Sequence, residues 1–421
     1  MHSDQVSAAV SAYPRESRVP LSLRLMLRSG AERRVSKDEV RSGLVPSMAA
    51  LLVVFTVALA PLSAAAEDCA SPPDLGDGWK VAAPATQGLD GERLCAIGPR
   101  FDAWTQANTH AVLVVRNGVL VYERYFTGED EKWGERLGAV VYDAGKLHDL
   151  RSVTKGVASL GIGIAIERGL IASVNVPVFS LFPEYADLRT PEKDAITLQH
   201  LLTMSAGLAW NEQVPYSDPG NSETQMFMAA DPIRHVLSRP LAAPPGQGYN
   251  YNGGLTTVLA AIVSRAIGKP FDQFIQEALF DPLGITQVEW IRDRHGNPWP
   301  ASGLRLRPRD LARIGQLVLS RGEWQGRQIV PAAWIDQSIT PQINGDGLMF
   351  YGYQWRLGRS LVARQEVGWA AGWGWGGQRL FVVPSKGLVV VTHAGLYRSP
   401  MLQVVPGYTV LNDYVLPALA R

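Results

Sequence analysis

The stretch from Asp149 to Gly169, DLRSVTKGVASLGIGIAIERG, restricts the fold more than any other part of this chain. Val157, Leu160, Ile162, Ile164 and Ile166 cover more than one stripe of a helix, so the pattern predicts a helix buried most of the way round. Ser152 and Lys155 stand at its mouth. In a helix they are i and i+3, and their side chains meet on one face. Burial disfavours a charged amine, so the pattern predicts a lowered pKa for Lys155. A neutral amine beside a serine hydroxyl is a general base beside a nucleophile. A single S-x-x-K match also arises by chance, and a lysine at a helix start can snorkel to water. The rest of the chain decides between these readings.

With 421 residues, 46% of them hydrophobic, the chain can bury a large core and form more than one lobe. The 40 basic and 39 acidic residues leave a net charge of +1. No basic block or aromatic-basic stripe stands out, which argues against nucleic acid as a partner. Met48–Ala60, MAALLVVFTVALA, is an apolar run short for a bilayer span, with Arg33, Arg34 and Arg41 upstream and Ala64-Ala65-Ala66 downstream. Residues 1–66 therefore read as a secretory signal peptide with an upstream extension, cleaved after Ala66. A retained N-terminal anchor is the alternative. Cleavage implies a periplasmic or secreted protein with no stable membrane insertion. The two cysteines, Cys69 and Cys95, follow the cleavage site. An oxidising compartment favours their pairing as a disulfide, two inert thiols being the alternative.

Residues 67–90, rich in Pro, Gly and Asp, read as a surface lead-in to a domain over 91–421. Ala111–Tyr125 gives two apolar runs joined by Asn117-Gly118, a hairpin signal. Helical patterns follow at Leu198–Met204, at Leu255–Ile267 (ended by Gly268 and Pro270), from Phe271, and at Asp310–Ser320. Strand patterns return at Gln378–Pro384 and from Leu388, with a closing helix after Gly407. The expectation is an α+β fold. One antiparallel sheet is assembled from both chain ends and flanked by helices, with a mainly helical lobe inserted at about 175–300.

Two further segments complete a site. In PGQGYNYNGG, Tyr249 and Tyr251 lie on a Gly-rich turn before a helix, where a tyrosine can relay the serine proton. Packing of either ring in the core is the alternative. In WAAGWGWGGQRLFVV, Gly372, Gly376 and Gly377 allow close backbone approach to a ligand, with Trp373 as an apolar wall. The strand from Gln378 has N–H groups on its edge, and one near Gly376–Gln378, with that of Ser152, would form an oxyanion hole. Rival sites are poorer: Ser205 lacks a full G-x-S-x-G elbow, and His148 and His393 fit a loop and a strand end equally well. No H-E-x-x-H or phosphate loop occurs.

Together RSVTKG, ITLQHLLTMSAGLAW, YNYNGG, LRLRPRDLARIGQLVLSRGEWQGRQIVP, YGYQWRLG and GWGGQRLFVVP resemble the serine β-lactamase and penicillin-binding-protein superfamily, in its class C-like branch with esterases and 6-aminohexanoate-dimer hydrolases. The resemblance covers about residues 90–410. It implies a serine hydrolase with Ser152 acylated, Lys155 its partner and Tyr251 the catalytic tyrosine, acting on a small ester or amide without cofactor or metal. Y-x-N falls on Tyr251-Asn252-Gly253, so the asparagine is missing. The K-T-G position reads Ala370-Ala371-Gly372, so its cation is missing too. Both departures weaken recognition of a β-lactam. A β-lactamase, a D-alanyl-D-alanine peptidase and an inactive binding relative are the alternatives.

Overall fold

The computed structural model describes residues 70–419. The apolar run Met48–Ala60, the cleavage site and Cys69 lie outside the described residues. No helix among the described residues is long and apolar enough to cross a membrane.

The framework is a nine-stranded sheet. Its strands are β1 (Lys80–Val81), β2 (Thr109–Arg116), β3 (Val119–Tyr125), β4 (Ile343–Asn344), β5 (Phe350–Tyr351), β6 (Arg356–Val362), β7 (Gln365–Gly374), β8 (Gln378–Val383) and β9 (Leu388–Ala394). They lie in the order β1-β3-β2-β9-β8-β7-β6-β5-β4. Every pairing is antiparallel except β1 with β3. The two chain ends join at β2–β9, where Val114 faces Val390. At the β2–β3 turn Asn117 and Gly118 both take positive φ, the conformation that an Asn-Gly hairpin supplies at low cost.

Alternation along the strands gives the sheet two apolar faces. Leu113, Val115, Val389 and Val391 point to one side, with helix α1 (Thr154–Glu167) and helix α3 (Pro308–Leu319) packed over them. Val112, Val114, Phe381 and Val390 point to the other, covered by the helices at 91–103 and 405–419. Helix α1 is buried from Thr154 to Ala165, as its apolar pattern requires.

The lobe over residues 175–300 is mainly helical. Its longest helix, α2 (Gly253–Ile267), is capped by the Asn252 side chain, which accepts from Leu255 N–H, and stops at Gly268 in the left-handed region. The lobe begins and ends beside a small sheet in which His148 pairs with Leu306 and Asp149 with Arg305. That pairing pins the nucleophile turn to the segment returning from the lobe.

The lead-in is tied in more firmly than its composition suggests. Trp79 is buried, β1 joins the sheet, and Asp77 accepts from Arg309 at 3.2 Å. Cys95, at the end of the helix Gly91–Cys95, is not a free thiol.

Candidate active site

Ser152 lies in a short 3-10 turn, Arg151–Val153, that runs directly into α1. The residue before it, Arg151, has φ of 49°, a left-handed conformation that costs a side-chain-bearing residue energy. A dense set of contacts holds it there. The Arg151 guanidinium bonds Asp149 at 3.1 Å and Glu131 at 3.2 Å, and it stacks on Trp133 and Tyr397 at 4.5 and 4.8 Å. The turn is therefore rigid, and Ser152 remains half-exposed at its crest.

Lys155 is 2% exposed. Its Nζ donates to Ser152 Oγ at 3.0 Å and to the Ala301 carbonyl at 3.0 Å, and lies 4.9 Å from the centre of the Tyr251 ring. The expected fall in its pKa does not occur. Burial does pull the amine down, but Tyr251, Glu223 and Glu212 together outweigh it, and Lys155 ends above its ordinary value. The ammonium form is therefore the favoured one, with donors to spend and no lone pair to accept a proton. Of the two tyrosines, Tyr251 is the one against Lys155. Tyr249 reaches Asp346 at 3.5 Å and packs on Tyr351.

The strand β7 passes directly beside the nucleophile turn because it carries glycines there. A Cβ at Gly372 would lie 2.8 Å from Val153 Cγ1, and one at Gly374 would overlap the Leu150 carbonyl oxygen. Strand β6 starts at Arg356, opposite Ala371, so residues 372–374 of β7 are paired only to β8. This leaves one edge of β7 open toward Ser152.

The expectation for Gly376, Gly377 and Gln378 needs correction. The Gly376 N–H is already donated to Gln403 Oε1 at 2.8 Å. A Cβ at Gly377 would press on Ala394 at 2.9 Å. Gln378 is fully buried and bonds Ala394 O at 2.7 Å and His393 at 3.0 Å. These three residues build the β7–β8 turn, and the open edge lies at 372–374. Trp373 is corrected for the same reason of alternation: it points away from Gly372, against Tyr408, with Arg379 over its ring at 4.7 Å. The tryptophan on the site side is Trp375, which meets Tyr216 edge-on at 6.0 Å.

Three charged residues near the triad went unread in the sequence. Arg356 lays its guanidinium 5.1 Å from the Tyr251 ring centre and 5.1 Å from that of Trp373, and pairs with Asp346 at 2.7 Å. Opposite Ala371 in register, it brings a cation close to the position that Ala370 leaves empty. Glu212 and Glu223 come from the helical lobe and converge on Gly253. The Gly253 N–H donates to Glu212 Oε1 at 2.5 Å.

The rival residues lie elsewhere. Ser205 is buried and bonded to Thr203 at 2.7 Å. His393 of β9 and His148 stack at 4.5 Å, with His110 of β2 and Asp130 beside them. Ligand atoms of His110, Asp130 and His148 fall within 4.8 Å of one another. However, His110 Nδ1 and His148 Nε2 are only 2.8 Å apart, whereas two nitrogens on a tetrahedral zinc sit about 3.3 Å apart. The contact is a hydrogen bond. His148 Nδ1 must donate to the Asp149 carbonyl, so its Nε2 accepts from His110.

The family profile described as Beta-lactamase matches residues 101–398, more than half of the chain, and the protein belongs to that family. Among curated relatives, esterase EstB of Burkholderia gladioli is 28% identical over 42% of this chain and 46% of its own length. Lovastatin esterase of Penicillium rubens is 28% identical over 49% and 54%. The chain thus spans about half the length of these two relatives. The 6-aminohexanoate-dimer hydrolase of Paenarthrobacter ureafaciens is 26% identical over 73% of this chain and 79% of its own. A solved Bacillus anthracis structure described as a 6-aminohexanoate-dimer hydrolase superposes with a TM-score of 0.60 at 25% identity, covering 74% and 79% of the two chains.

Proposed function

We propose that this protein is an exported serine hydrolase that cleaves ester or linear amide bonds through an acyl-enzyme on Ser152. The observation that carries the reading is the 3.0 Å contact from Lys155 Nζ to Ser152 Oγ, with Tyr251 against the same ammonium. With the Lys155 amine favoured as an ammonium, the group beside it that relays the serine proton is Tyr251. Ser152 Oγ bonds to the substrate carbonyl carbon as its proton passes to Tyr251. Tyr251 then returns that proton to the departing alcohol or amine as the scissile bond breaks. Water attacks the acyl group by the same route in reverse and regenerates Ser152. The backbone N–H of Ser152 and one on the open edge at 372–374 receive the oxyanion. No step requires a metal or an organic cofactor.

For the substrate class, the support is chemical. Gly253 has no amide to donate to a β-lactam side chain, and carboxylates fill that space instead. Trp375 and Tyr216 offer an apolar wall. Arg356 favours the second reading, a β-lactamase or D-alanyl-D-alanine peptidase, because it restores a cation for a substrate carboxylate. A comparison of kcat/KM for p-nitrophenyl butyrate, a 6-aminohexanoate dimer and nitrocefin decides. The ester or the linear amide is expected to exceed nitrocefin by roughly 10-fold or more, the value of one lost charge-assisted hydrogen bond. Nitrocefin at or above both would replace this reading with the second.

Export rests on the run Met48–Ala60 and on Ala64-Ala65-Ala66. The expected result is a mature chain beginning at Glu67 in protein recovered outside the cytoplasm. A chain keeping its N-terminus in the membrane fraction would favour an anchor.

A further inference from the structure

We infer that Glu212 and Glu223 stand in for the asparagine missing at Gly253, and act as positioning residues for Lys155. This rests on the acyl-enzyme reading above.

The space is the first argument. A Cβ at position 253 would lie 2.9 Å from Glu223 Oε1 and 3.0 Å from Glu212 Oε1, so any side chain there would displace the carboxylates. Glycine at this position is therefore what admits the pair. The second argument is how the two are held. Glu212 Oε1 accepts from the Gly253 N–H at 2.5 Å and from Trp210 Nε1 at 2.6 Å. Glu223 is 2% exposed and its Oε1 faces Ser302 Oγ at 3.5 Å. Ser302 directly follows Ala301, whose carbonyl takes a bond from Lys155. One short segment thus touches both the ammonium and the acid pair.

The groups facing the pair are Lys155, Tyr251 and Tyr216, with Arg151 acting on Tyr216 from beyond. Two enclosed carboxyl groups in contact do not both ionise readily. Burial, and then Glu223, push Glu212 up to about 8. At neutral pH Glu212 therefore holds its proton. The pair opposes the desolvation of Lys155 and helps hold its amine above the ordinary value. Above pH about 8 Glu212 ionises, and its charge opposes the negative charge that develops on the reacting oxygens.

The experiment uses the full-length protein with Glu212→Gln and Glu223→Gln, close in shape to the native side chains, and p-nitrophenyl butyrate as substrate. Thermal melts check that each variant is folded. In the native protein the kcat/KM profile should bend downward near pH 8. Glu212→Gln should remove the bend, and Glu223→Gln should move it at least about one unit toward acid, because Glu212 no longer faces a like charge. Measured at pH 8, Glu223→Gln should lower kcat about 5- to 10-fold with KM little changed, because its bend has moved below that pH. Folded variants whose profiles superimpose on the native one overturn the inference, as does a rise in KM with kcat unchanged. A fluorophosphonate probe separates the two levels. A native protein that it labels, with unaltered variant profiles, defeats this inference alone; a native protein that it never labels defeats the acyl-enzyme reading as well.

Discussion

Ser152→Ala is expected to abolish fluorophosphonate labelling and to lower turnover by at least about 10,000-fold, because the replacement removes the atom that carries the acyl group. The turn itself should survive. Ser152 is half-exposed, and the strained Arg151 beside it is held by Asp149, Glu131, Trp133 and Tyr397, none of which touches the serine hydroxyl. The loss should therefore come with an unchanged melting temperature. Mass spectrometry of the labelled native protein should place the adduct on the tryptic peptide that begins at Ser152. An adduct on Ser205, or labelling that persists in the variant, would overturn the assignment. Ser205 is a poor competitor because its hydroxyl is buried and bonded to Thr203. A folded native protein that takes up no label would instead mark a binding relative without turnover.

The parts of this molecule written in local pattern were legible in its sequence. The all-round apolar pattern of α1 required a helix enclosed by other elements, and Asn117-Gly118 required the β2–β3 hairpin. Ser152 and Lys155 are neighbours on one turn, so their spacing alone brought them together. Tyr251 came from a different element, and only the resemblance joined it to them. What stayed hidden depends on long-range packing. Glu212, Glu223 and Arg356 lie far from Ser152 in sequence, and nothing in WNEQ, NSETQ or YQWRL marks them as converging on one place. The lysine shows why this matters. Read from its apolar helix alone, it should lose charge; Tyr251, with Glu223 and Glu212 behind it, reverses the outcome. The β7 segment misled for a related reason. Its glycines suggested room for a ligand, whereas they let a regular strand lie against the nucleophile turn, and Trp373 packs on the far side against Tyr408.

The buried histidines of strands β2 and β9 should make the fold sensitive to acid. Burial, followed by the neighbouring His148, holds His110 down at about 3, and burial with His148 and His110 holds His393 well below its ordinary value. His110 is neutral in the folded protein near pH 5 and His393 is held toward the neutral form, while in the unfolded chain both titrate near 6.5. Below pH 6.5 the unfolded state therefore binds more protons, and stability falls as pH falls, by about 1.4 kcal/mol per unit for each such histidine. For His110 alone the loss accumulates to about 5 kcal/mol by pH 3, comparable with the whole stability of many domains. Glu212 acts in the opposite sense. Its folded value of about 8 lies above the ordinary value of 4.5, so it contributes stability that is fully present below 4.5 and lost as pH rises to 8. Between 4.5 and 6.5 it offsets one of the two histidines. The melting temperature should therefore peak near pH 6.5, decline gently to 4.5 and drop steeply below it. His393→Gln should flatten the acid side, because an amide there cannot titrate while it can still bond Gln378. Melting curves from pH 3 to 9 measure this directly, and a melting temperature that holds constant from pH 6.5 down to 3.5 would show that the cluster does not set the acid limit.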